Sequence, residues 1–157
     1  VMVELPAAVY QTRALAKLVD FISVGSNDLT QYLLAVDRNN PRVANLYSAF
    51  HPAVLGALQQ VVNGAVAEGK PVSICGEMAG DPGAAVLLMA MGYDVLSMNA
   101  ASLLKVKSVL RSITLEVAEK LLEDVMAMDD AQMIRSAVDL ALFNAGVDRL
   151  LRSSRTN

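Results

Sequence analysis

The amino-acid sequence predicts an α/β protein: the C-terminal half of a (β/α)8 TIM-type barrel, four parallel strand–helix units with a helical tail behind them. Three observations carry this expectation. Short apolar runs alternate strictly with helix-type sequence, the pattern of a parallel sheet crossed by helices. The runs are apolar almost throughout, as strands buried on both faces are. The alternation then stops near Arg111, and two amphipathic segments follow with no strand between them. Four units are half of a barrel that typically needs about 250 residues. An open sheet of such strands would leave two unpaired edges, so the other half is expected upstream or from a second copy. The division expected is a half-barrel over residues 1–112 and a helical extension over residues 113–157.

The first strand is Val1–Leu5, followed by a helix from Pro6 to about Val19. The chain opens on Val1-Met2-Val3 with no leading turn, which reads as the inside of a strand and hence as a fragment of something longer. The second strand, Phe21–Val24, runs into Gly25-Ser26-Asn27-Asp28 and a short helix around Leu29–Ala35. A polar excursion, Asp37 to Pro41, leads to a further helix; Pro52 is then the first residue of a long one that Gly69 stops. The third strand is Val72–Cys75. Asp81-Pro82 is a cap followed by a first-turn proline, and Gly92 ends that helix. The fourth strand is Val95–Met98, with a helix from about Ala101 to Arg111. Beyond it, Thr114–Met128 and Asp130–Ala145 have helical spacing, Gly146 suits a C-cap, and residues 152–157 are expected to fray.

Composition narrows the class of function. Hydrophobic residues are 54% and charged residues 18%, which excludes a disordered chain. No uninterrupted apolar run reaches the roughly 18 residues that span a bilayer, so a soluble protein with no membrane partner is expected. A formal net charge of −3 offers no basic field for nucleic acid. The single Cys75 cannot form an internal disulfide and fits a reducing cytoplasm.

Chemistry in such folds sits where strands end, and few polar residues lie there. Glu4 ends the first strand, Asn27 and Asp28 follow the second, Cys75 ends the third, and Ser97 and Asn99 flank the end of the fourth. Glu4 and Asp28 are acids on neighbouring strand ends that suit a shared Mg²⁺, which takes one or two protein carboxylates plus substrate phosphate; helix capping by each acid is the competing reading. The Gly25–Asp28 turn before a helix resembles an anion cradle. Arg38 is either a phosphate-binding guanidinium or a solvated loop charge. Cys75 is either a small buried apolar side chain or a proton donor facing substrate; with no basic neighbour in sequence, a general acid suits it better than a thiolate nucleophile. His51, the one histidine, precedes Pro52 at a helix start and reads as a capping residue.

Three stretches together are similar to the signature segments of the phosphoenolpyruvate-utilising enzymes: Val3-Glu4-Leu5-Pro6-Ala7-Ala8, Asp20 through Tyr32, and Cys75-Gly76-Glu77-Met78-Ala79-Gly80-Asp81. The similarity runs from Val1 to about Arg111 and is closest to Enzyme I of the phosphotransferase system, a phosphoenolpyruvate-protein phosphotransferase. Asp37-Arg38-Asn39-Asn40, Arg42-Val43-Ala44 and Leu96-Ser97-Met98-Asn99 resemble its nitrogen-related branch. The resemblance implies Glu4 and Asp28 as Mg²⁺ ligands. It implies Asn27, Asp28 and Arg38 as contacts to phosphoenolpyruvate, and Cys75 as the acid that protonates the enolate to give pyruvate. It also implies a homodimer and a histidine phosphocarrier protein, reached through an N-terminal domain that carries the acceptor histidine. Further arginines of the family lie on earlier strands, and His51 does not match the acceptor motif. A sugar-type Enzyme I, a nucleotide-using sister enzyme of the pyruvate phosphate dikinase kind, and a self-associating, non-catalytic half-barrel are the alternatives.

Overall fold

The computed structural model describes residues 1–147, and the end segment 152–157 lies outside them. Four strands, β1 (Met2–Val3), β2 (Ile22–Gly25), β3 (Val72–Cys75) and β4 (Val95–Ser97), form one sheet in the order β1-β2-β3-β4, with every pair parallel. Sequential order with no reversal is the arrangement of a barrel arc rather than of a doubly wound sheet. The chain therefore folds as the partial barrel with a helical tail that its alternation predicts.

The helices are α1 (Pro6–Ala16), α2 (Ser26–Leu34), α3 (Pro52–Val66), α4 (Glu77–Gly80), α5 (Pro82–Met91), α6 (Ala100–Ser112), α7 (Leu115–Met126) and α8 (Ala131–Asn144). Local chemistry sets most of their ends. His51 Nδ1 accepts from the Ala53 N–H at 3.1 Å, so the histidine is the cap its position suggests. The Asp81, Asn99, Thr114 and Asp130 side chains likewise accept from first-turn N–H groups of α5, α6, α7 and α8. Gly92 closes α5 in the left-handed conformation at φ 98°, and Gly146 stands at φ 73° after α8.

Two expectations are corrected. The further helix after Pro41 is only a single 3₁₀ turn, Ala44–Leu46, because Asp37 and Asn40 side chains hold the preceding backbone in local turns. Helix α2 begins at Ser26, not near Leu29, so the supposed cradle is the first turn of the helix itself. A short α4 also intervenes between Cys75 and Asp81.

Strand pairing sorts the side chains into two faces. In register lie Val3, Val24 and Ile74, each fully buried, with Leu96 packed beside them in the core. The alternate row, Met2, Ser23, Ser73 and Val95, points to the other face, where Met2 is 49% and Val95 56% exposed. The helices thus cover one face of the sheet, and the concave face stays open among the described residues. Helices α7 and α8 add Ala118, Leu121, Val125, Ile134, Val138 and Leu142 to the same hydrophobic core.

Candidate active site

The C-terminal ends of β2, β3 and β4 place Gly25, Cys75 and Ser97 in one register row on the open face. Adjacent strands lie about 4.8 Å apart, so Cys75 is a single strand spacing from Gly25. Glu4, one residue past the end of β1, folds over Gly25: a Cβ on that glycine would stand 2.6 Å from Glu4 Cγ and Oε1. Glycine here is a matter of room, since its φ of −87° suits any residue. Glu4 has no hydrogen-bond or ion-pair partner among the described residues. An acid after β1 and a thiol at the end of β3, the two neighbours of β2, thus flank the same glycine.

Asn27 and Asp28 occupy the second and third positions of α2, where free N–H groups and the helix dipole favour anions. Asn27 Oδ1 accepts from the Glu77 N–H at 3.0 Å, which fixes the carboxamide and leaves its NH₂ group available. Arg38 Nη2 stands 3.9 Å from Asp28 Oδ1, with both side chains partly exposed. An ion pair so long and so wet contributes little, and the guanidinium keeps donors for another anion.

Two side chains that sequence reasoning left out complete the arrangement. Ser26, 2% exposed, donates its hydroxyl to the Cys75 carbonyl at 2.7 Å. Tyr47 donates its phenol to the Asn27 carbonyl at 3.2 Å. Burial pushes the Tyr47 phenol above its ordinary pKa, while its hydrogen bond with Thr30 and the Arg38 charge pull the other way. Ser26 carries a weak signal in sequence, as the hydroxyl of the Gly-Ser-Asn-Asp turn. Tyr47 carries none, for it lies in the segment read as helix.

Gly76 joins the two halves. Its φ of 107° with ψ of −174° is open to glycine alone, and a Cβ there would meet Ser26 Oγ and Asn27 Oδ1. Two depressions flank Asn27. One of about 270 Å³ is bounded by Asn27, Gly76, Glu77, Ser97 and Asn99 at the strand ends. The other, of about 180 Å³, lies behind it, between Ser26, Thr30, Tyr47, Phe50 and Asp81. Glu4, Asp28, Arg38 and Cys75 line neither.

No group of three or more His, Cys, Asp or Glu side chains capable of holding a metal gathers among the described residues. Glu4 and Asp28 are nevertheless of the donor type Mg²⁺ prefers, two carboxylates with room for water and phosphate oxygens. The donor set fits.

Acid, amide, guanidinium and thiol thus all sit at one end of a parallel sheet, the catalytic end of β/α barrels. Comparison with known proteins gives the family. Residues 1–115 match the PEP-binding domain of the PEP-utilising enzymes, and the chain belongs to that family. It is 45% identical over 152 residues to an Escherichia coli K12 protein named phosphoenolpyruvate-dependent phosphotransferase system, covering 97% of this chain and 20% of that protein. It is 44% identical over 139 residues to the phosphoenolpyruvate-protein phosphotransferase of Haemophilus influenzae, covering 88% of this chain and 24% of the relative. The protein of that name from Geobacillus stearothermophilus is 45% identical over 137 residues, with 87% and 24% covered. The chain thus spans between a fifth and a quarter of the length of these relatives. No helix among the described residues is long and apolar enough to cross a membrane.

Proposed function

We propose that this chain is the phosphoenolpyruvate-binding part of a phosphotransferase that passes the phosphoryl group to a histidine of the same enzyme, and thence to a phosphocarrier protein, releasing pyruvate. The observation that carries the reading is the row Gly25–Cys75–Ser97, with Glu4 folded over Gly25 and Asn27 held by the turn behind Cys75. It brings anion-binding and proton-donating groups to one strand-end surface. Names of the relatives supply the reaction class.

Each residue has a distinct task in this reading. Asn27 and the N-terminal N–H groups of α2 hold the phosphate, and Arg38 meets its outer oxygens. Glu4 and Asp28 would hold Mg²⁺. A bound Mg²⁺ would supply positive charge opposite the phosphoryl and enolate oxygens, where phosphoryl transfer gains most of its rate. When the P–O bond breaks, the electron pair stays on the enolate, and its methylene carbon takes a proton from the Cys75 thiol. Pyruvate forms, and the thiolate is later reprotonated from water. Cys75 is only partly buried, which leaves the thiol a path to solvent.

The finer assignment is the nitrogen-related Enzyme I branch, acting in the cytoplasm as a homodimer. It rests on the Asp37–Asn40 and Leu96–Asn99 segments. The test is phosphoenolpyruvate-dependent labelling of the full-length protein with pyruvate measured alongside, in the parent and in Cys75→Ala. General-acid catalysis is worth about 10²- to 10⁴-fold, so the variant should release pyruvate at least about 100-fold more slowly. Unchanged turnover would remove Cys75 from the mechanism, and an unlabelled parent would end the reading.

A further inference from the structure

We propose that Tyr47 is a positioning residue of this site, locking the loop that carries Arg38 onto the N-terminal turn of α2. The inference rests on the function proposed above and extends it to a residue outside the expected set.

Residues 35–51 between α2 and α3 contain one 3₁₀ turn and otherwise irregular backbone. Inside the loop the bonds are local: Asn39 N–H to Asp37 Oδ1 at 2.9 Å and Arg42 N–H to Asn40 Oδ1 at 3.1 Å. Such turns shape a loop without fixing where it lies. Two hydrogen bonds tie it back to the body of α2 through side chains. Near its start the Arg38 N–H donates to Gln31 Oε1 at 3.2 Å. Near its end, across 20 residues, the Tyr47 phenol donates to the Asn27 carbonyl at 3.2 Å.

The position of the phenol is what makes the contact functional. It lies close enough to Arg38, Asp28 and Glu77 for all three charges to act on it. The Arg38–Asp28 pair at 3.9 Å cannot by itself hold the guanidinium in place. Further along the same loop Phe50 is buried, with the Arg135 guanidinium 5.0 Å above its ring. Tyr47 therefore closes the loop that carries Arg38 onto the main chain of Asn27, whose carboxamide the Glu77 N–H holds.

The test is steady-state kinetics of the full-length protein with Tyr47→Phe, which keeps the ring and removes only the hydroxyl. Loss of one such hydrogen bond should raise KM for phosphoenolpyruvate about 3- to 10-fold. The maximal rate should stay within about twofold, because the contact supports ground-state binding. A general loosening of the fold would lower the maximal rate and the melting temperature together. In an Arg38→Ala background the same substitution should change KM by less than about twofold, since the two act through one interaction. Tyr47→Leu, which also removes the hydroxyl, should raise KM in the same direction and serves if Tyr47→Phe folds poorly. An unchanged KM in both single variants, or an equal KM increase with and without Arg38, overturns the role of Tyr47 while leaving the site intact. A parent protein that shows no phosphoenolpyruvate-dependent phosphorylation overturns the site and, with it, this inference.

Discussion

Ser26 and Cys75 are joined by a 2.7 Å hydrogen bond from the serine hydroxyl to the cysteine carbonyl, and Ser26 is almost wholly enclosed. The next residues make a second bond, from the Glu77 N–H to Asn27 Oδ1. Together the two fasten the start of α2 to the turn after β3, so the residue read as phosphate ligand and the residue read as proton donor belong to one rigid corner. Ser26→Ala should cost about 0.5–1.5 kcal/mol of stability in urea unfolding. It should lower the rate of pyruvate formation more than it raises KM, because it loosens the Cys75 side of the corner. An effect on KM alone would place Ser26 with the phosphate contacts instead.

Glycines 56 and 76 give a paired prediction of opposite sign. Gly76→Ala places a Cβ 2.9 Å from Asn27 Oδ1 in a backbone conformation reserved for glycine. It should destabilise by about 1–3 kcal/mol from backbone strain and disturb substrate binding through Asn27. Gly56 lies inside α3 with nothing within 4 Å of an added Cβ. Gly56→Ala should stabilise by roughly 0.5–1 kcal/mol. Midpoints of urea denaturation for the two variants decide the matter.

Asp81 performs two tasks with two oxygens. Oδ1 caps α5 through the Gly83 and Ala84 N–H groups at 2.8 and 2.9 Å, while Oδ2 meets Arg135 Nη1 of α8 at 2.8 Å. Asp81→Asn keeps the capping oxygen and weakens the ion pair, a loss below about 1 kcal/mol for partly exposed partners. Asp81→Ala removes the cap as well and should cost about 1 kcal/mol more. Equal thermal shifts for the two variants would show that the cap contributes nothing.

Tyr93 links stability to alkaline pH. Its ring is 7% exposed, its phenol donates to the Leu58 carbonyl at 3.2 Å, and burial pushes its pKa well above the ordinary value. A raised pKa in the folded state means that this contribution is intact below the unfolded pKa of about 10. Above it the unfolded chain releases a proton that the folded chain keeps, so stability falls by about 1.4 kcal/mol per pH unit until the folded value is reached. Spectrophotometric titration should show Tyr93 ionising only as the protein unfolds. Tyr93→Phe should flatten the alkaline loss. Reversible ionisation of Tyr93 in a protein that stays folded would contradict the burial argument.

Much of this architecture is legible in the sequence because its determinants are local. Pro52 after His51, Asp81 before Pro82, Thr114 and Asp130 all mark helix starts that the structure confirms. Helix α4 was invisible because four residues carry no periodicity. The segment after Pro41 looked helical, yet Asx turns at Asp37 and Asn40 prevail, and a tyrosine bond across 20 residues ties the segment down. The candidate site divides in the same way. Residue types at strand ends point to Glu4, Asn27, Asp28 and Cys75, and a polar loop to Arg38, whereas Ser26 and Tyr47 matter only through partners distant in sequence. The space that Gly25 leaves for Glu4 is likewise a fact of strand pairing, not of spacing along the chain.

Calorimetric titration of the full-length protein with phosphoenolpyruvate, with and without Mg²⁺, tests the shared surface most directly. Glu4→Gln, Asp28→Asn and Arg38→Ala should each weaken Mg²⁺-supported binding by at least about 10-fold, the cost of one lost charge-assisted contact. Ser73→Ala, two residues before Cys75 on the same open face, should leave it unchanged. Equal affinity in all four variants, or a loss confined to Ser73→Ala, would contradict the convergence of these strand ends on one anion.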